Sequence, residues 1–135
     1  MSLTRVMVVD DNEAFLEMAA FVLNKAGYVV ETVLDAARAL VRIPEFRPEL
    51  IVMDVQMPVM DGMELTRRLK ADPATQHIVI VAFTAFALKG DAPGLRAAGF
   101  DGFIAKPVNV ATFVAEIRFW FEGPESARGS HFVWP

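Results

Sequence analysis

Five short apolar runs rich in β-branched residues alternate along this chain with five longer stretches of helical period, and that alternation leaves few folds open. The runs fall at about 5–9, 28–33, 50–54, 78–83 and 102–105. Their near-continuous apolar character suits strands buried on both faces. The first intervening stretch, about 13–26, repeats Phe15, Met18, Ala19, Val22 and Leu23 on one helical face, with Gly27 as a stop. The second, about 36–43, has Asp35 as N-cap and Ala36, Ala39, Leu40 and Ile43 as its stripe, with Pro44 and Pro48 marking the exit. In the third, about 63–71, Leu65 and Leu69 pair across a turn and Asp72-Pro73 ends the helix. The fourth, about 89–98, is the weakest, because Pro93 and Gly94 lie inside it; Pro93 in a first turn starts that helix late. The fifth, about 110–121, is capped by Asn109 and carries Val110, Phe113, Val114, Ile117 and Phe121 on one face. Strict strand–helix alternation predicts an α/β fold, a five-stranded parallel sheet covered by helices on both faces with right-handed crossovers. The common doubly wound order is 2-1-3-4-5.

That order has a chemical consequence. In a parallel sheet every strand points the same way, so the residues that finish the strands share the carboxyl edge, where open α/β folds place their sites. Here those residues are Asp10-Asp11 after the first run, Asp54 at the end of the third, Thr84 after the fourth and Lys106 after the fifth. The first and third strands are neighbours, which brings Asp10 and Asp11 beside Asp54. Three carboxylates are hard oxygen ligands of the kind Mg²⁺ takes. Without a cation they repel one another. A carboxylate can serve as a nucleophile for phosphorus, and Asp54 is the candidate. Phosphoryl transfer asks for in-line positioning and for cations at the equatorial oxygens, which Mg²⁺ and the Lys106 ammonium would supply, with the Thr84 hydroxyl as a neutral donor. A solvated strand-end aspartate, a surface lysine or a strand-finishing threonine is each unremarkable alone; the convergence of all four makes the site.

Composition narrows the function classes. The chain has 135 residues, enough for one domain with a real core. It contains no cysteine, which excludes a disulfide framework and a thiolate metal centre. With 13 Lys+Arg against 17 Asp+Glu the net charge is −4, and the basic residues are scattered, so no nucleic-acid partner is expected. No apolar run reaches the ~18 residues of a membrane span, and the N-terminus has no signal-peptide pattern; a cytoplasmic protein without a membrane partner is expected.

Four motifs carry a resemblance: Val8-Val9-Asp10-Asp11-Asn12, Asp54-Val55-Gln56-Met57-Pro58-Val59-Met60-Asp61-Gly62, Thr84-Ala85 and Lys106-Pro107. Over roughly residues 4–122 the chain resembles a two-component response-regulator receiver domain of the CheY-like superfamily, on the flavodoxin-like fold. The resemblance implies that Asp54 is the phosphoacceptor for a histidine kinase or histidine phosphotransfer protein. It implies that Asp10 or Asp11 joins Asp54 and the Gln56 backbone carbonyl on Mg²⁺. Lys106 matches the lysine that contacts the phosphoryl group, before a peptide bond that is commonly cis. Thr84 and Phe103 match the switch hydroxyl and switch aromatic, with small Ala85 beside the moving ring. Gly62 matches the glycine that turns the loop into the third helix. Gln56 and Phe86 stand at positions that modulate phosphoryl lifetime, and bulky Phe86 suggests slow autodephosphorylation, an expectation that decay within seconds, unchanged by Phe86→Ala, would remove. The stretch from Thr84 to Asp91 is similar to receivers of hybrid kinases and stand-alone cell-cycle receivers.

The implied output is binding to a downstream protein, or homodimerisation, through the fourth helix, fifth strand and fifth helix. Trp120, beside Phe119 on the fifth helix, has two readings, packing under the tail or forming a partner contact. Residues 123–135 read as a flexible C-terminal tail with an apolar end, Phe132-Val133-Trp134. His77 and His131 have no evident partners in the sequence. Other function classes fit less well. A haloacid-dehalogenase-like phosphatase wants a carboxylate two residues after its nucleophile, where Gln56 stands. A flavodoxin-like cofactor carrier wants a Ser/Thr/Gly-rich phosphate loop where this chain has acids. An unphosphorylated scaffold of receiver type has no use for a complete acceptor site.

Overall fold

The computed structural model describes residues 3–85 and 92–122. The tail 123–135, with His131 and Trp134, and the segment containing Phe86 lie outside the described residues. The elements run β1 (Arg5–Val9), α1 (Glu13–Lys25), β2 (Val29–Val33), α2 (Ala36–Phe46), β3 (Leu50–Asp54), α3 (Gly62–Ala71), β4 (Val79–Thr84), α4 (Ala92–Ala98), β5 (Gly102–Ala105) and α5 (Val110–Glu122). All strand pairs are parallel, in the order β2-β1-β3-β4-β5.

Two apolar layers fill the space on either side of the sheet. Met7, Val9, Ile51 and Met53 meet Ala39 and Ile43 of α2, Leu65 and Leu69 of α3 and Leu95 of α4. Val6, Val8, Leu50 and Val52 meet Leu16, Ala19 and Leu23 of α1 and Phe113 and Ile117 of α5. Alternating strand residues feed opposite layers, which is why β1 and β3 are apolar at nearly every position. Each large side chain so buried is worth about 1.5–3 kcal/mol.

The helix ends follow local chemistry. Asn12, Asp35 and Asp61 cap α1, α2 and α3, their side-chain oxygens accepting the N–H of Phe15, Arg38 and Glu64. Asn109 Oδ1 accepts the Ala111 N–H at the start of α5. Helix α1 closes in a Schellman turn, with Gly27 at φ +103° while Gly27 N–H bonds Asn24 O and Tyr28 N–H bonds Leu23 O. Helix α4 starts at Ala92, so Pro93 sits in its first turn, where a missing N–H costs nothing. One boundary departs from the sequence reading. Pro44 does not end α2; the helix runs on to Phe46 and ends at Arg47 in the left-handed region, φ 57°. Its last turn loses the one bond Pro44 cannot donate and keeps the rest.

Candidate functional site

The register decides what meets at the carboxyl edge. Val9 lies opposite Met53, so the residues that follow, Asp10-Asp11 and Asp54, emerge side by side. One oxygen from each of Asp10, Asp11 and Asp54 lies within 4.8 Å of the others. Asp10 and Asp54 are each only 2% exposed, whereas Asp11 faces solvent. Lys106, just past β5, crosses the edge of β4: its Nζ is 3.0 Å from Asp54 Oδ1 and 3.9 Å from Asp10 Oδ2. Thr84 is buried at the end of β4, and its carbonyl accepts the Lys106 N–H at 3.1 Å.

Backbone donors orient the two buried acids. The Asn12 N–H bonds Asp10 Oδ1 at 2.8 Å, and the Gln56 N–H bonds Asp54 Oδ1 at 3.2 Å. Burial nevertheless pushes the Asp10 carboxyl up to about 6, and the nearby Asp54 and Asp11 charges add to the rise. Burial also raises Asp54, against the hydrogen bond and charge of Lys106. These are acids held out of water and close together, so the ionised trio is short of positive charge. The donor set fits a hard divalent cation: three carboxylates converge, and a cation would relieve their repulsion.

The loop from Asp54 to α3 is shaped by Gly62. A Cβ there would lie 2.3 Å from the Asp54 carbonyl oxygen and 3.0 Å from the Val55 Cα, so the first turn of α3 comes this close only without a side chain. The Gly62 N–H then bonds Val55 O at 2.9 Å. The Lys106–Pro107 peptide is cis.

Asp10, Asp11, Asp54, Gln56, Thr84 and Lys106 lie at or just past this edge, whereas Phe103 sits further back on β5, opposite Ala82, and Phe86 lies outside the described residues. Gln56 is exposed beside Asp54. Phe103, half-buried on β5, meets the Trp120 ring at 5.9 Å. The tail that would cover Trp120 lies outside the described residues, and the contacts described are to β5. The Trp120 Nε1–H donates to Phe103 O at 2.9 Å, and its ring fills the place of a Gly102 side chain, so it covers the free edge of β5. His77 is exposed at the opposite edge, away from the site.

Two aromatic residues were missed as site residues. Phe83 lies beneath Lys106, with Nζ 5.0 Å from the ring centroid, and Phe15 stacks on Phe83 at 4.4 Å. Both read from the sequence only as core. A signal did exist: Phe83 pairs with Ile104, so Lys106, two residues on, is its diagonal neighbour on the same face. Asp10, Phe15, Phe83, Lys106 and Val108 are among the residues lining a cavity of about 410 Å³ that opens beside the acids.

A doubly wound sheet with acids and a lysine converging at the switch between β1 and β3 defines the class of CheY-like α/β signalling domains. The profile of the response regulator receiver domain matches residues 6–118, and the chain belongs to that family. The polar-differentiation response regulator DivK of Brucella anthropi is 38% identical over 113 residues, spanning 84% of this chain and 92% of DivK. The chemotaxis protein CheY4 of Vibrio cholerae superposes with a TM-score of 0.79 at 30% identity, over 84% of this chain and 95% of CheY4. The receiver domain of a Pseudomonas aeruginosa sensor histidine kinase superposes with a TM-score of 0.79 at 30% identity, over 90% of this chain and 100% of that domain; it has a magnesium ion coordinated in its active-site cleft. The chain is thus a receiver domain of two-component signalling. No helix among the described residues is long and apolar enough to cross a membrane.

Proposed function

We propose that Asp54 accepts a phosphoryl group from a phosphohistidine of a kinase or phosphotransfer protein, and that this changes binding at the α4-β5-α5 face. The observation that carries the reading is the buried Asp54 carboxylate, with Lys106 Nζ at 3.0 Å and two further acids within ligand distance. In the transfer an Asp54 oxygen forms the new O–P bond. The N–P bond of the donor breaks, and the imidazole leaves with its electron pair. Lys106 then faces the charge on the phosphoryl oxygens, and the Thr84 hydroxyl is the switch donor that follows it. Asp10, Asp11, Asp54 and the Gln56 carbonyl would hold Mg²⁺, which when bound neutralises the carboxylates and the incoming phosphoryl charge. Phe103 on β5 would carry the change outward, and Gln56 and Phe86 would set the lifetime of the acyl phosphate. On this reading residues 4–122 are the receiver, 123–135 are a tail, and the protein is a cytoplasmic phosphoacceptor that assists its own modification rather than an enzyme with a separate substrate.

Intact-mass analysis after incubation with acetyl phosphate and Mg²⁺ tests it. One phosphoryl group is expected on the wild type, none without Mg²⁺ and none on Asp54→Ala. An adduct that persists in Asp54→Ala would move the acceptor elsewhere.

A further inference from the structure

Lys106 is held from two sides. Its Nζ bonds Asp54 Oδ1 at 3.0 Å and lies over the ring of Phe83, 5.0 Å from the centroid. That ring is itself fixed: Phe15 of α1 stacks on it at 4.4 Å and 16°, and Phe113 of α5 meets Phe15 edge-on at 6.0 Å. Phe83 is 3% exposed, while the Lys106 side chain is 33% exposed. The ammonium therefore reaches from a half-wet position across a buried aromatic face to the acids.

We propose that Phe83, braced by Phe15, is a positioning residue for phosphoryl transfer, its π face keeping the Lys106 ammonium in front of Asp54. The inference rests on the phosphoacceptor reading and adds a residue to it. Lysine is a compact charge on a flexible four-carbon stem. When Asp54 forms its bond to phosphorus, the charge that Lys106 faced on the carboxylate moves outward to the phosphoryl oxygens, and the ammonium must re-aim its N–H donors. Asp10 Oδ2, 3.9 Å away, competes for it as a full negative charge, and solvent competes as well. An aromatic face attracts a cation through its quadrupole but accepts no strong hydrogen bond. Phe83 can thus hold the ammonium in place without consuming the donors the phosphoryl group needs. An aliphatic side chain of similar size would fill the same space and supply no such field.

The test is a double-mutant cycle read as the rate of phosphorylation by acetyl phosphate with Mg²⁺, followed by intact mass. Phe83→Leu and Phe83→Met remove the ring and keep apolar bulk; two variants guard against one that misfolds. Phe83→Tyr keeps the π face, and the adjoining cavity gives its hydroxyl room. Expected is a fall of about three- to tenfold for Leu and Met, the span of a partly desolvated cation–π contact, with Tyr near the wild type. In a Lys106→Ala background, where phosphorylation is already slow, Phe83→Leu is expected to cost nothing further. Mg²⁺ affinity, read by thermal shift, is expected to stay within twofold of the wild type. A Phe83→Leu rate within twofold of the wild type would overturn the proposal, as would an equal loss in the Lys106→Ala background or a Tyr variant as slow as Leu. If the wild type itself takes no phosphoryl group, the phosphoacceptor reading falls and this inference with it; if only the aromatic substitutions are silent, this inference falls alone.

Discussion

At the amino edge of the sheet Arg5 faces Glu49 and Lys70 faces Asp101, whereas at the carboxyl edge Asp10 and Asp54 share Lys106, with Asp11 beside them. The amino edge satisfies its charges. Lys70 Nζ donates to Ile78 O at 2.7 Å, to Asp101 Oδ2 at 2.8 Å and to Gln76 O at 3.3 Å, and Asp101 Oδ2 also accepts the Ile80 N–H at 2.8 Å. Arg5 Nε donates to Arg47 O at 2.7 Å and its guanidinium lies 3.5 Å from Glu49. The carboxyl edge does the reverse, burying two acids and leaving the cluster short of cations. Charge at one edge joins elements together; charge at the other is held unsatisfied for a ligand. Removing a charge at the two edges is therefore expected to move stability in opposite directions.

The largest effect tests whether the geometry of the site edge is as demanding as its charge. Gly62→Ala places a methyl group 2.3 Å from a backbone oxygen, and the backbone cannot swing aside as a long side chain can. A loss of about 3 kcal/mol or more is expected in urea unfolding, together with impaired phosphorylation, because the loop that carries Gln56 must shift. Full stability in this variant would mean that the approach of α3 to β3 is looser than the distances state.

Next is Asp10→Asn, which removes a buried charge and keeps an oxygen for the Asn12 N–H. The folded-state carboxyl titrates at about 6 against an ordinary 3.8. Between those values the folded protein binds more protons than the unfolded chain, so this group's contribution falls as pH rises through the window and stays low above it. The difference of about two units corresponds to roughly 3 kcal/mol of destabilisation at neutral pH without a divalent cation. In EDTA at pH 7.5 Asp10→Asn is expected to be more stable than the wild type by about 2 kcal/mol, the gap closing toward pH 4. Added Mg²⁺ should stabilise the wild type more than the variant. A variant less stable than the wild type in EDTA would remove the contrast between the edges.

Most of the fold, and nearly all of the site edge, could be read from the sequence, and the physics says why. Strand ends are local features, and parallel topology gathers them without any knowledge of packing. Gly27, Asp35 and Asn109 announce helix boundaries by their own chemistry. Pro44 misled because a proline in a last turn forfeits one bond, too little to stop α2 while Leu40 and Phe46 pack on the core. The amino edge was not legible. Lys70 and Asp101 are 31 residues apart, and only the packing of α3 beside α4 and the turn at Gly99 brings them together. The fit of Trp120 over Gly102 is likewise a tertiary fact, as is Phe83 under Lys106. The sequence thus exposes the chemistry at strand ends more readily than the contacts that hold helices to the sheet.

The smallest effect belongs to the amino edge and carries the sign that completes the comparison. Lys70→Met keeps the apolar stem and removes all three donated bonds. Bonds from a charged donor are worth more than neutral ones, but the Lys70 side chain is 21% exposed and Asp101 40%, so water takes over part of what is lost. A loss of about 1–2 kcal/mol is expected, seen as a fall in Tm of about 4–8 °C. The loss should persist in EDTA and be insensitive to Mg²⁺, since the clamp lies at the far end of the strands from the acids. Phosphorylation by acetyl phosphate should proceed at the wild-type rate. A Lys70→Met protein with unchanged Tm would mean that Asp101, through the Ile80 N–H, holds the start of β5 unaided. One with normal stability but slowed phosphorylation would mean that the two edges communicate along β4.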